Sequence, residues 1–243
     1  MIPPVEDVAE VVNAWAKKED SEEHKLVFYL ATPAHVTVLK RVPVRLAYFG
    51  AHRSGLLFVR KVGREPDRVH RDIAHRLNWQ RHQMGVERVF WDASCTRLGP
   101  RTCPVCDPSL DDFPPFRMRT FPSLVVEAGY DTATEPLRSL KDWWFHNTPT
   151  GSGVAMVLLV RICVASRELE LELWHRNAAV PSSIVTVFSA GGGASGWIAT
   201  GPMTIPFESV VLRPKDTRNC DFVLDQPHLA ALAAYVFFQG PTP

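Results

Sequence analysis

Two stretches of the sequence gather side chains whose chemistry goes beyond packing. Cys103-Pro-Val-Cys106 is a CxxC pair, and Cys95 stands just upstream of it. Three thiolates at that spacing, joined by a histidine, suit tetrahedral Zn²⁺. A second CxxC or a paired-histidine element is missing downstream, so reduced loop thiols are the simpler expectation. Between Arg60 and Arg88, eight Arg or Lys stand against four Asp or Glu, with His70, His75 and His82 among them. A basic helix can track a phosphate backbone, which makes Arg71, Arg76 and Arg81 the candidate nucleic-acid contacts. The competing expectation is the solvated side of an amphipathic helix. Gly191-Gly-Gly-Ala-Ser-Gly196 lacks the Lys-Ser/Thr of a P-loop and the helix of a dinucleotide fingerprint, so it reads as a hairpin tip. No Gly-x-Ser-x-Gly elbow or His-Glu-x-x-His occurs.

The elements that position these residues follow from periodicity. Apolar residues at Val5, Val8, Val11, Val12 and Trp15 predict a helix over 5–18. Short strands are expected at 26–31, 35–39, 46–49 and 56–59, divided by Pro and Gly. Pro66 opens a helix with Val69, Ile73, Leu77 and Met84 on one stripe, Gln80 inside it and Gly85 closing it. The Glu65-Pro-Asp67 triplet reads as that helix's start. A strand at 88–91 precedes an irregular loop over 92–115. Strands are expected at 123–128, 154–164, 168–174, 183–189 and 207–212, and helices at 133–146 and 229–238. The 168–174 strand alternates Leu169, Leu171 and Leu173 against Glu168, Glu170 and Glu172, the pattern of a strand with one wet face. Cys163 and Cys220 read as small core residues. Strand–helix–strand order in the middle indicates an α/β core.

Composition bounds the whole. The 243 residues are 46% apolar with a formal charge of +1, which excludes general disorder and any protein that coats nucleic acid by bulk charge. The best apolar run, 154–162, is broken by Arg161 and is far short of the roughly 20 residues of a membrane span. The start, Met-Ile-Pro-Pro-Val-Glu-Asp, has neither the basic opening nor the apolar stretch of a signal peptide. With five cysteines, an odd number, the expectation is reduced thiols in a cytoplasmic or nuclear protein without a membrane partner.

The run Phe121-Pro-Ser-Leu-Val-Val-Glu-Ala-Gly-Tyr130, followed by Glu135-Pro-Leu-Arg-Ser-Leu-Lys-Asp-Trp-Trp-Phe145, resembles the fungal branch of the PD-(D/E)XK nuclease-like superfamily. Members carry a Pro-Thr-Leu-Val-Val-Glu-x-Gly strand and then a Leu-Arg-x-Asp-Ala-x-Trp-Trp helix. The likeness continues through 156–162, the Glu-Leu-Glu-Leu-Trp strand, Gly201-Pro-Met-Thr-Ile-Pro-Phe-Glu208, Leu212-Arg-Pro214 and the last helix. No one motif is specific; their order is. It spans residues 66–238 and leaves an N-terminal part, 1–62, of unknown role beside a nuclease-like part, 63–243, the two forming one compact unit.

The resemblance implies an α/β fold: a mixed central sheet flanked by helices, a restriction-endonuclease-like core with extra N- and C-terminal elements. It also implies carboxylates on neighbouring strand ends holding Mg²⁺, which neutralises a phosphodiester and activates water, with a lysine nearby. Asp107, in Pro104-Val-Cys-Asp-Pro-Ser109, takes the first acidic position, with Cys106 where the family has proline. Glu127 is the second carboxylate; ending an apolar strand, it needs a metal, a basic partner or water. The family lysine position is Gly129. Lys141 is the substitute, because it falls inside the arc of Leu137, Leu140, Trp143 and Trp144 while Arg138, Ser139 and Asp142 point elsewhere. The expected function is a divergent, non-catalytic nuclease-fold module that binds nucleic acid or protein. The alternative is a Mg²⁺-dependent phosphodiester hydrolase in which Asp107 and Glu127 hold the metal and Lys141 positions water or phosphate.

Overall fold

The computed structural model describes residues 5–16, 25–31, 44–51, 54–61, 64–86, 89–92, 97–100, 122–130, 134–146, 148, 153–191 and 196–237. The chain divides into two units, Met1–Gly63 with Thr102–Thr120, and Arg64–Arg101 with Phe121–Pro243. In the first, helix α1 (Val5–Ala16) buries Val8 and Val12, one turn apart, while Val11 stands half exposed. Glu6 and Asp7 in its first turn complement the helix dipole. Strands β1 (Lys25–Ala31), β2 (Val44–Ala51) and β3 (Ser54–Lys61) form an antiparallel sheet in the order β1-β3-β2. The strand expected at 35–39 and the side chains of Val5 and Trp15 lie outside the described residues.

The second unit opens with helix α2 (Arg64–Gln83), whose predicted stripe of Val69, Ile73, Leu77 and Met84 is buried in full. Gly85 follows at φ 64°, a left-handed conformation that costs glycine little and ends the helix. Then come β4 (Val89–Asp92), β5 (Arg97–Pro100), β6 (Leu124–Tyr130), helix α3 (Thr134–His146), β7 (Met156–Cys163), β8 (Glu168–His175), β9 (Ser183–Ser189) and β10 (Trp197–Ala199). These strands make one seven-stranded sheet in the order β10-β9-β8-β7-β6-β5-β4. Only the β6–β7 pair is parallel, and α3 supplies the crossover such a pair requires. The class is α/β with a mixed sheet. A small antiparallel ribbon of β11 (Met203–Ile205) and β12 (Phe222–Leu224) and helices α4 (Phe207–Val211) and α5 (Gln226–Val236) complete the unit.

Alternation splits the large sheet into two unlike faces. Leu124, Val126 and Ala128 of β6, Met156, Leu158, Val160 and Ile162 of β7, and Leu169, Leu171 and Leu173 of β8 share one face and form the core with α2 and α5. Gln80, inside the apolar stripe of α2, is satisfied by the backbone of β12. Its Nε2 donates to Val223 O at 2.7 Å, and Val223 N donates to its Oε1 at 2.8 Å. Asp225 caps α5 by accepting the His228 amide at 2.8 Å. No described helix is long and apolar enough to cross a membrane.

Four expectations are corrected. The segment from Phe207 is a helical turn, not a strand: Phe207, Val210 and Val211 are buried at i, i+3 and i+4, and Asp221 Oδ1 accepts the Phe207 amide at 2.7 Å. β5 lies inside the stretch read as an irregular loop. The glutamate face of β8 is wet only at its start: Glu168 and Glu170 are partly exposed, whereas Glu172 is 4% exposed with helix α3 crossing above it. Cys220 is exposed rather than core, with Sγ 3.8 Å from Met84 Sδ, whereas Cys163 is buried.

Candidate functional site

The face opposite the core carries the charges. Register places Glu127 of β6 beside Leu159 of β7, and Leu159 beside Glu172 of β8, so two carboxylates flank one apolar residue. Arg161 pairs across to Glu170 on the same face, through an Nη2–Oε2 contact at 2.5 Å. Helix α3 closes over this face with Leu137, Lys141 and Trp144 at i, i+4 and i+7, and Arg138 a quarter turn away.

Each buried carboxylate meets an indole. Trp144, 1% exposed, donates Nε1–H to Glu127 Oε1 at 2.8 Å, and Glu127 is itself 2% exposed. Trp174 donates Nε1–H to Glu172 Oε2 at 2.8 Å, while Arg138 Nη2 donates to Glu172 Oε1 at 2.7 Å. Burial works against the Glu172 charge. Even so, the hydrogen bonds from Arg138 and Trp174 and the nearby Arg138 and Arg161 charges together hold its carboxyl below the usual range. Lys141 Nζ lies 4.0 Å from the centroid of the Trp174 ring and 2.7 Å from Asp142 Oδ1. The C-terminal end of α3 is tied down by Arg176, which donates to Phe145 O at 2.7 Å and Val154 O at 2.7 Å.

Glu127 and Lys141 therefore share one helix–sheet interface, as the apolar arc implied. Among the described residues, however, Lys141 pairs with Asp142 and Trp174 rather than with Glu127. Arg138, expected to point away, is the side chain that reaches a buried carboxylate. The arc was drawn from apolar residues alone, whereas the surface it covers is itself charged. Leu140 and Trp143 are only half buried. The Glu172–Arg138–Trp174 group escaped sequence reasoning because Leu–Glu alternation marks two faces without saying what covers each.

Asp107 lies outside the described residues, as do Cys95, Cys103 and Cys106. At Gly129, the position where the resemblance places lysine, an added Cβ would come 3.2 Å from Leu137 Cδ2, so a side chain there needs that methyl to give way. Mg²⁺ keeps several waters in an octahedral shell, and among the described residues Glu127 offers it one buried carboxylate that already accepts the Trp144 indole. No three His, Cys, Asp or Glu among the described residues converge as metal ligands.

The three candidate arginines do not form one surface. A spacing of five residues turns a helix by about 140°, so Arg71, Arg76 and Arg81 face three directions. Arg71 is exposed. Arg76 pairs with Asp225 of α5. Arg81 donates to Asn78 Oδ1 at 2.9 Å and to Val86 O at 2.8 Å, holding the end of α2. Neither family models nor curated proteins give a match to this chain.

Proposed function

We infer that the chain is a divergent, non-catalytic PD-(D/E)XK nuclease-like protein, a binding module whose ancestral carboxylate has become a packing contact. The observation that carries this is Glu127, 2% exposed and bonded to the Trp144 indole. A metal-binding glutamate must meet solvent and substrate, and this one meets a helix. Leu137, whose Cδ2 lies 3.2 Å from where a Cβ on Gly129 would stand, supports the same reading, because a lysine there would crowd it. The mixed sheet flanked by helices agrees with the fold the resemblance implies. A reducing cytoplasmic or nuclear setting belongs to the proposal, supported by the exposed free thiol of Cys220.

Calorimetric titration with Mg²⁺, run beside a cleavage assay on DNA and RNA with Mg²⁺ or Mn²⁺, tests it. The expected result is no saturable Mg²⁺ binding in the millimolar range and no cleavage. Metal-dependent cleavage that disappears in Glu127→Gln would instead establish the hydrolase built on Asp107 and Glu127.

A further inference from the structure

Helix α2 turns an exposed polar stripe outward. At about 100° per residue, Arg71, His75, Asn78 and His82 fall within about 60° of one another, and all four are exposed. Trp79 flanks them, 50% exposed. Of the three carboxylates of α2, Asp67 stands one turn before Arg71 on the same side of the helix, while the other two are engaged elsewhere. Asp72 turns to α5, with Oδ2 3.0 Å from His228 Nε2, and Glu65 accepts from the Tyr130 hydroxyl at 2.6 Å.

The exposed indole is braced. The Arg76 guanidinium carbon lies 5.2 Å from its ring centroid, and Asp225 holds Arg76 from the other side. An aromatic ring fixed on one side by a tethered cation and open to water over half its surface is a pre-organised stacking platform. Its neighbours are Arg71, the Asp225-paired Arg76, two imidazoles and an amide, a set that offers donors to an anionic partner. The stripe from Arg71 to His82 is about 16 Å long at 1.5 Å per residue, enough for a few successive phosphates.

We propose that this face of α2 binds single-stranded nucleic acid, with an unpaired base stacked on Trp79 and the phosphates running along Arg71, His75, Asn78 and His82. Of the polyanions, an acidic peptide brings charge without a ring for the indole, and a duplex keeps its bases stacked inside. The proposal names a partner for the binding-module reading. It uses the helix on the core side of the sheet, away from Glu127, so either idea can fail without the other.

Fluorescence polarisation of labelled single-stranded oligonucleotides with the full chain tests it at about 50 mM salt. Trp79→Ala is expected to weaken binding about tenfold or more, with Trp79→Phe keeping most of the affinity. Arg71→Ala is expected to flatten the slope of log K against log salt by about 0.7. Unlabelled single strand should compete better than duplex, polyglutamate or anionic vesicles. No binding at that salt, unchanged affinity in both Trp79→Ala and Arg71→Ala, or equal competition by polyglutamate or vesicles would overturn it. Because Trp79 is half in water, an unaltered circular dichroism spectrum is expected for both variants. Should Trp79→Ala fold poorly, the Arg71→Ala slope decides.

Discussion

Trp144→Phe separates the packing of α3 from its polar anchoring. Phenylalanine keeps a ring in the same site but lacks the N–H that reaches Glu127 Oε1 at 2.8 Å. Trp144 is 1% exposed, so the smaller ring leaves a void, at about 1 kcal/mol for a loss of this size. Removing a hydrogen bond to a charged group, with the acceptor still buried, adds about 1.5–3 kcal/mol. The sum, about 2.5–4 kcal/mol, corresponds to a fall in Tm of roughly 5–16 °C at 2–4 °C per kcal/mol. Glu127→Gln keeps an acceptor for the indole and removes the charge, so alone it should cost about 1 kcal/mol or less. In the double mutant the buried charge is gone, and Trp144→Phe should cost about 1–2 kcal/mol less than in the wild type. Urea unfolding read by far-ultraviolet circular dichroism measures all four proteins; indole fluorescence is unsuitable because the mutation removes a fluorophore. Costs that add to within about 0.5 kcal/mol would show that Trp144 and Glu127 do not act as a unit, and the reasoning would fail.

Gln80→Leu should destabilise by about 2–3 kcal/mol despite its added apolar surface, since both backbone groups of Val223 lose their partner; an unchanged exchange rate of the Val223 amide would contradict this. The Glu172 carboxyl is held below its ordinary value, so its contribution is complete above the unfolded pKa of about 4.3 and is lost as pH falls through the folded value. Glu172→Gln should therefore cost about 1–3 kcal/mol at neutral pH, and the gap to wild type should close below about pH 4. Urea midpoints across that range check it, and a gap independent of pH would refute it. Gly129→Lys should cost about 1–3 kcal/mol through collision with Leu137 and should restore no metal-dependent cleavage.

What was legible in the sequence was whatever a single period fixes. The stripe of α2, the alternation of β8 and the apolar runs of β6 and β7 each name an element and its buried side. Three-residue strands such as β10, β11 and β12 are too short to show a period, and the ribbon of β11 and β12 depends on pairing across 16 intervening residues of chain. The turn from Phe207 has β-branched residues that suit a strand, yet its i, i+3, i+4 spacing was present in the sequence and decides the matter. The angular arithmetic that scatters Arg71, Arg76 and Arg81 was equally available. Trp174, two residues after Glu172 on the same strand, shares its face by the same alternation, but Arg138 was not legible, because it comes from α3, whose meeting with β8 depends on the tertiary fold.

The polar contacts of α3 do more than neutralise charge. Glu127 and Glu172 stand two strands apart on either side of Leu159, and each is met by an indole N–H, a donor with no acceptor capacity. An indole satisfies a lone pair without bringing a second ion out of water, which matters because burying an ion pair costs several kcal/mol of desolvation per ion. Arg138, partly open to solvent, adds its charge to Glu172. Apolar contact alone would let α3 settle at neighbouring positions, since Leu137 and Trp144 could find other apolar surface one turn along. A slide of one turn, about 5.4 Å, would carry Trp144 away from Glu127 and Arg138 away from Glu172 together, leaving two buried carboxylates without those donors. The helix register is thus set by its polar partners, and the coupling between Trp144→Phe and Glu127→Gln is the direct measure of how strongly.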